Sequence, residues 1–122
     1  MTVGDAVSEG ERLLESAGID TARLDTELLI EKALGMTRLE LYLDPERTLS
    51  PEELVAYREL IERRARHEPA AYLLGEWGFR RLTLEVDPRV LIPRPGTEVV
   101  VEHCLAFLVH IPEPLVLDVG TG

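Results

Sequence analysis

The apolar residues of this chain change their spacing once, at His67-Glu68-Pro69, and that change sets what each part can fold into. Before it they recur every three or four positions, the period of one helix face. Val3, Ala6, Val7, Leu13, Leu14 and Ala17 form one such stripe, with Gly10 on it. Thr2 and Asp5 supply an N-terminal signal for that helix and Gly18 its terminator. Asp20 is expected to cap a second helix over Leu24, Leu28, Leu29, Ile30, Ala33 and Leu34, ended by Gly35. Its broad apolar face predicts a central position. Thr37 and Glu40 form a capping-box pattern for a short third helix carrying Leu39, Tyr42 and Leu43. Ser50-Pro51-Glu52-Glu53 is the clearest start signal, with a capping hydroxyl, Pro at N1 and Glu at N3. The helix it opens is expected to bury Leu54, Tyr57, Leu60 and Ile61 and to run to about His67. Arg63, Arg64 and Arg66 then read as a solvated helix end that complements the dipole.

After Pro69 a short helix, Ala70 to Leu74, is closed by Gly75. Trp77 and Phe79, then Leu82, Leu84 and Val86, alternate with period two and predict a β-hairpin. Arg80-Arg81 lacks the Asn-Gly chemistry of a two-residue turn, so a longer loop is expected. The two prolines of Ile92-Pro93-Arg94-Pro95-Gly96-Thr97-Glu98 bias their predecessors to extended conformations and exclude helix over this run. Thr97 is expected to cap a helix through Val100, Val101, Cys104, Leu105 and Leu108. Leu115-Val116-Leu117-Asp118-Val119 reads as a short apolar strand of the kind paired on both edges of a parallel sheet. With no further strand in the sequence, residues from about 88 onward are expected to be unstructured or to pair with another molecule through an open edge.

Charge and cysteine usage narrow the setting. The net charge is −10, of which residues 1–68 contribute −7 from 16 acids and 9 bases. Such a surface repels phosphate backbones, which argues against direct nucleic-acid binding. A single cysteine, Cys104, excludes an internal disulfide and fits a reducing cytoplasm. The N-terminus lacks the basic-then-apolar pattern of a signal peptide, and no apolar run is long enough to span a bilayer. His67, His103, His110 and Cys104 show no metal-ligand spacing, so no metal is expected.

The chemistry-bearing motif is Asp118-Val119-Gly120-Thr121-Gly122. After an apolar strand, glycines permit a tight turn and close backbone approach to a cofactor. An acid two residues before the first glycine suits the ammonium of S-adenosylmethionine and would repel a pyrophosphate. A dinucleotide site remains the alternative for the motif alone, as does a strand ending in a plain glycine turn.

Three stretches carry a family resemblance. They are Arg66-His67-Glu68-Pro69-Ala70-Ala71-Tyr72-Leu73-Leu74-Gly75, Val90-Leu91-Ile92-Pro93-Arg94-Pro95-Gly96-Thr97-Glu98 and Leu117-Asp118-Val119-Gly120-Thr121-Gly122. Together with Ala22-Arg23-Leu24-Asp25 and Glu27-Leu28-Leu29, they resemble the peptide chain release factor glutamine methyltransferases over essentially the whole chain. Pro95 favours this branch over the related ribosomal-protein methyltransferases.

The resemblance implies a mainly α fold: a small N-terminal helical bundle, a β-hairpin linker and the start of an α/β class I methyltransferase domain. The corresponding segments are 1–68, 69–87 and 88–122. It further implies methylation, from S-adenosylmethionine, of the glutamine in the Gly-Gly-Gln loop of release factors. By motif match, Asp118, Gly120 and Gly122 fall on the donor-binding loop, and Pro93, Arg94, Pro95 and Thr97 border the active-site cleft. Gly96 departs from the family, which commonly has an acid there. The family's catalytic Asn-Pro-Pro-Tyr is absent, since the chain contains no Asn, so the 122 residues alone are expected to be inactive. A helical module that docks a release factor without catalysis is the competing function; a dinucleotide dehydrogenase comes third.

Overall fold

Three of the helices begin with the same reciprocal pair of hydrogen bonds. In the computed structural model, which describes residues 1–121, the N–H of Asp5 donates to Thr2 Oγ1 at 3.1 Å, and the Thr2 N–H donates back to Asp5 Oδ2 at 3.2 Å. This opens α1 (Val3–Ser16). Thr37 and Glu40 do the same for α3 (Arg38–Leu43), and Ser50 and Glu53 for α4 (Pro51–Ala65). The pattern Ser/Thr-x-x-acid thus locates three helix starts from sequence alone. α2 (Ala22–Leu34) starts one residue later than Asp20 suggested. Its N-cap is Thr21, whose hydroxyl donates to Asp25 Oδ2 at 2.8 Å instead of accepting from the backbone. Gly35, at φ 63°, closes α2 in the left-handed conformation open to glycine.

The chain divides into two compact units, one of residues 1–74 and one from Gly75 onward. In the first, α2 is central and packs against α1, α3, α4 and α5 (Ala70–Leu74). Val3, Ala6, Leu14, Leu29, Ile30, Tyr57, Ile61 and Leu73 form the core. The N-terminus is tied down by backbone bonds from Val3 N–H to Arg47 O and from Leu49 N–H to Met1 O, at 2.9 and 3.1 Å.

Several expectations for this unit are corrected. In α3 the buried residue is Leu41, while Leu39, Tyr42 and Leu43 are exposed. One turn and a half of helix has room to bury a single position. α4 ends at Ala65 rather than near His67, because His67 takes φ 67° and cannot continue the helix. Arg63 and Arg64 are not a freely solvated end. Arg63 forks onto Glu68 at 2.8 and 2.6 Å, and Arg64 reaches Asp25 at 2.8 Å.

In the second unit β1 (Glu76–Phe79) pairs antiparallel with β2 (Leu82–Glu85), Trp77 opposite Leu84 and Phe79 opposite Leu82. The connection is therefore two residues after all. Arg80 takes the positive φ, 54°, that a tight hairpin turn needs at its first position. α6 (Pro95–Leu108) begins inside the proline-rich run, two residues before Thr97. Pro95 sits at N1, where its missing N–H and fixed φ cost nothing, and Arg94 is the N-cap. Residues 95–108 are thus helical, in line with the helix expected through Leu108 and against the expectation that everything from about 88 onward is unstructured. The expected strand over Leu115–Val119 does not form. These residues are exposed, and among the described residues they pair with no strand.

Candidate functional site

The Pro-Arg-Pro segment is built from its flanks. On one side Asp87 is clamped by Arg89, which donates from Nε at 3.0 Å, Nη2 at 2.6 Å and its backbone N–H at 2.9 Å. Those bonds hold the Asp87 carboxyl down at about 2. The next turn closes with Val90 N–H on Asp87 O at 3.0 Å. On the other side Arg94 O accepts from the N–H groups of Thr97 at 3.0 Å and Glu98 at 3.4 Å. Pro93 is half-buried, whereas Arg94, Pro95 and Thr97 are exposed. Arg94 makes no side-chain cap, and its side chain has no hydrogen bond or ion pair among the described residues. Gly96 lies inside the first turn of α6, with open space where a Cβ would stand. The Cβ of an acid there would meet nothing within 4 Å.

Asp118 and Gly120 follow in the exposed stretch, and Gly122 lies outside the described residues. Gly120 takes φ 79°, a left-handed turn open to glycine, and a Cβ on it would meet nothing within 4 Å. Asp118 carries no ion pair among the described residues, which leaves its carboxylate available for a cation. These two residues fit the first loop of a methyl-donor site in kind. No hydrogen bond or ion pair among the described residues joins them to Pro93–Thr97.

A second polar constellation, which sequence reasoning missed, lies in the first unit. Glu27 is buried and accepts from Arg23 Nε at 2.7 Å and Tyr42 Oη at 2.8 Å, with Arg38 Nη2 at 2.6 Å on its other oxygen. Burial pushes its carboxyl up, but the bonds from Arg23 and Tyr42 and the Arg38 charge outweigh this and hold it below the usual range. Glu31, one turn on, is raised by burial. The cluster floors a cavity of about 250 Å³ whose apolar wall includes Val3, Val7 and Leu41. Arg23 and Glu27 at i,i+4 are a readable pair; the arrival of Arg38 and Tyr42 from α3 is a tertiary event with no local signal. Among the described residues no group of His, Cys, Asp and Glu is placed to hold a metal ion, and no helix is long and apolar enough to cross a membrane.

Comparison with known proteins adds the family. The chain is 41% identical over 123 residues to a release factor glutamine methyltransferase of Caulobacter vibrioides, covering 100% of this chain and 42% of the relative. It is 46% identical to the protein of that name from Geobacter sulfurreducens, over 89% of this chain and 38% of the relative. The Pseudomonas aeruginosa protein of the same name is 49% identical over 83% of this chain and 36% of the relative. The chain thus spans about two fifths of the length of the curated relatives it matches. Residues 5–75, nearly the whole of the first unit, match the family described as the PrmC N-terminal domain. With that match covering more than half of its length, the chain belongs to the PrmC N-terminal domain family.

Proposed function

We propose that this chain supplies the helical docking domain, the linker and the first donor-binding loop of an S-adenosylmethionine-dependent methyltransferase. Its substrate is the glutamine of the Gly-Gly-Gln loop in peptide chain release factors, which places it in the cytoplasm. One observation carries this reading. Similarity to proteins named release factor glutamine methyltransferase runs through 100% of the chain, past the helical unit and into Asp118–Gly122.

The segments divide the work: 1–68 dock the substrate, 69–87 link, and 88–122 begin the donor domain. Asp118, the turn at Gly120, and Gly122 by motif match would hold the donor, which supplies an electrophilic methyl group. Pro93, Arg94, Pro95 and Thr97 would border the cleft that receives the glutamine. An amide nitrogen is a poor nucleophile because its lone pair is delocalised, so its attack depends on positioning and on acceptors for its hydrogens. Asn is the natural acceptor and the 122 residues contain none, so turnover is expected only from a chain that continues into a complete methyltransferase domain.

Calorimetric titration of S-adenosylhomocysteine into this chain and into one extended through a full methyltransferase domain tests the reading. Binding by the longer chain alone is expected; binding by neither removes the methyl-donor role of Asp118–Gly122. A second reading, a docking module without catalysis, is favoured by the self-contained core of residues 1–74. It predicts that affinity for a release factor survives deletion of residues 88–122.

A further inference from the structure

We infer that Glu98 is a positioning residue, fastening the hairpin turn to the first turn of α6 and so fixing Pro93–Thr97 for methyl transfer. The inference rests on the proposed function and deepens it. Glu98 Oε1 accepts from the backbone N–H of Arg80 at 2.8 Å across 18 residues of sequence. The Arg80 guanidinium returns to the backbone carbonyl of Glu98 at 3.5 Å. Arg80 is the residue of the turn forced to positive φ, so the carboxylate steadies the hairpin where its backbone is least favourable. Glu98 also donates its own N–H to Arg94 O at 3.4 Å. A continuous chain of bonds therefore runs from the hairpin turn through Glu98 to Arg94.

An acid in a first helical turn often does no more than complement the dipole. The acids of α1, α3 and α4 do that work here by folding back on their own N-cap residues. Glu98 instead reaches out to another element, while the N-cap of α6 has no side-chain partner at all. Apolar packing locates this turn only in part, since Ile92, Pro93 and Val101 are half-buried and no residue of α6 is fully buried. The directed contact that ties the first turn of α6, next to the Pro-Arg-Pro segment, to the hairpin is thus a charge-assisted hydrogen bond. Amide methylation is sensitive to such placement, because a shift of about 1 Å at a reacting centre can cost about a hundredfold in rate.

The test uses the chain extended through a full methyltransferase domain, with a release factor and S-adenosylmethionine as substrates. Glu98→Ala is expected to lower kcat about ten- to a hundredfold and leave KM for S-adenosylmethionine within about twofold. Glu98→Gln keeps an oxygen that accepts from Arg80 and should restore most of kcat. Glu102→Ala, one turn further on and exposed, should match the unsubstituted protein. No loss of kcat in Glu98→Ala, or a loss that Gln does not rescue, overturns the inference. An unsubstituted protein that does not methylate overturns the proposed function instead. In that event the Arg80 amide resonance still reads the clamp, and its failure to shift in Glu98→Ala shows the contact absent.

Discussion

Gly10 leaves no room between α1 and the side chains of α4 and α2, and replacing it with alanine should test that packing directly. A Cβ at this position would lie 2.1 Å from Tyr57 Oη, 3.1 Å from Thr26 Cγ2 and 3.2 Å from Ile61 Cδ1. The first distance is impossible, so the tyrosine must move. It is held by core packing and by a hydrogen bond that Oη donates to Ala6 O at 2.8 Å. Burial that pushes the phenol pKa well up marks how little water reaches it. Overpacking a core of this kind costs about 1–3 kcal/mol. Losing the buried hydrogen bond adds about 1 kcal/mol. Alanine recovers about 1 kcal/mol of helix propensity. The balance is a loss of roughly 1–3 kcal/mol, although the same substitution in an exposed helix would stabilise. Urea unfolding followed by far-UV circular dichroism measures it, and Tyr57→Phe supplies the control. Without the hydroxyl the alanine meets less, so Gly10→Ala should cost about 1 kcal/mol less in the Phe background than alone. Gly10→Ala more stable than the parent would refute the argument, because propensity would then have won over packing.

Asp25 accepts from Thr21 and from Arg64, and the Asp25 and Arg64 side chains are largely out of water (6% and 16% exposed). Asp25→Ala leaves the half-buried Arg64 guanidinium without its carboxylate, with only its bond to Glu68 O, and should cost about 2–4 kcal/mol in thermal or urea unfolding; a cost under about 1 kcal/mol would mean that water reaches Arg64. Stability should also fall in acid. The carboxyls of Glu27, Asp5, Glu40 and Glu53 are all held below their unfolded values, so their contribution is complete above those values and is lost as pH falls through the folded ones. Unfolding free energy should therefore stay level down to about pH 4.5 and then decline, with Glu31, raised by burial, opposing weakly. Glu27→Gln should make the decline shallower, and an unchanged slope would exclude Glu27 as a contributor.

What is legible in the sequence are features whose causes are local. The capping boxes at Thr2, Thr37 and Ser50 involve groups three residues apart, and Gly35 ends α2 by its own backbone freedom. The alternation of Trp77, Phe79, Leu82 and Leu84 likewise places both strands of the hairpin. Errors come where a neighbour decides. Arg80 adopts a glycine-like φ because closing the hairpin demands it, and Glu98 accepts from its N–H from 18 residues away. Pro95 argues against helix by its neighbours' restrictions, yet at N1 the same ring starts one. Of the site residues, Asp118 and Gly120 are recognisable as a motif. The motif fixes a turn, whereas the walls of a site must come from other elements. The Glu27 cluster is the converse: a built constellation whose members from α2 and α3 share no pattern in sequence.

The two units are held by different forces, and this bears on the proposed activity. Among the described residues, 1–74 contain all of the buried apolar side chains except Val86, so the fold of this unit follows from burial. From Gly75 onward, beyond the hairpin pairing and buried Val86, order draws on directed polar contacts: the Arg89 fork on Asp87, the Glu98 bond to Arg80 and the backbone bonds at Arg94 O. Meanwhile Val99, Val100, Leu105 and Phe107 of α6 are exposed, as are Leu115, Val116, Leu117 and Val119. An apolar run of that kind is stable as a strand only when covered on both faces and paired at its edges. Asp118 and Gly120 sit within or next to that run, so whatever covers it also decides where their carboxylate and turn are aimed. Donor binding and burial of Leu115–Val119 should therefore appear together in a longer chain, and neither before the other.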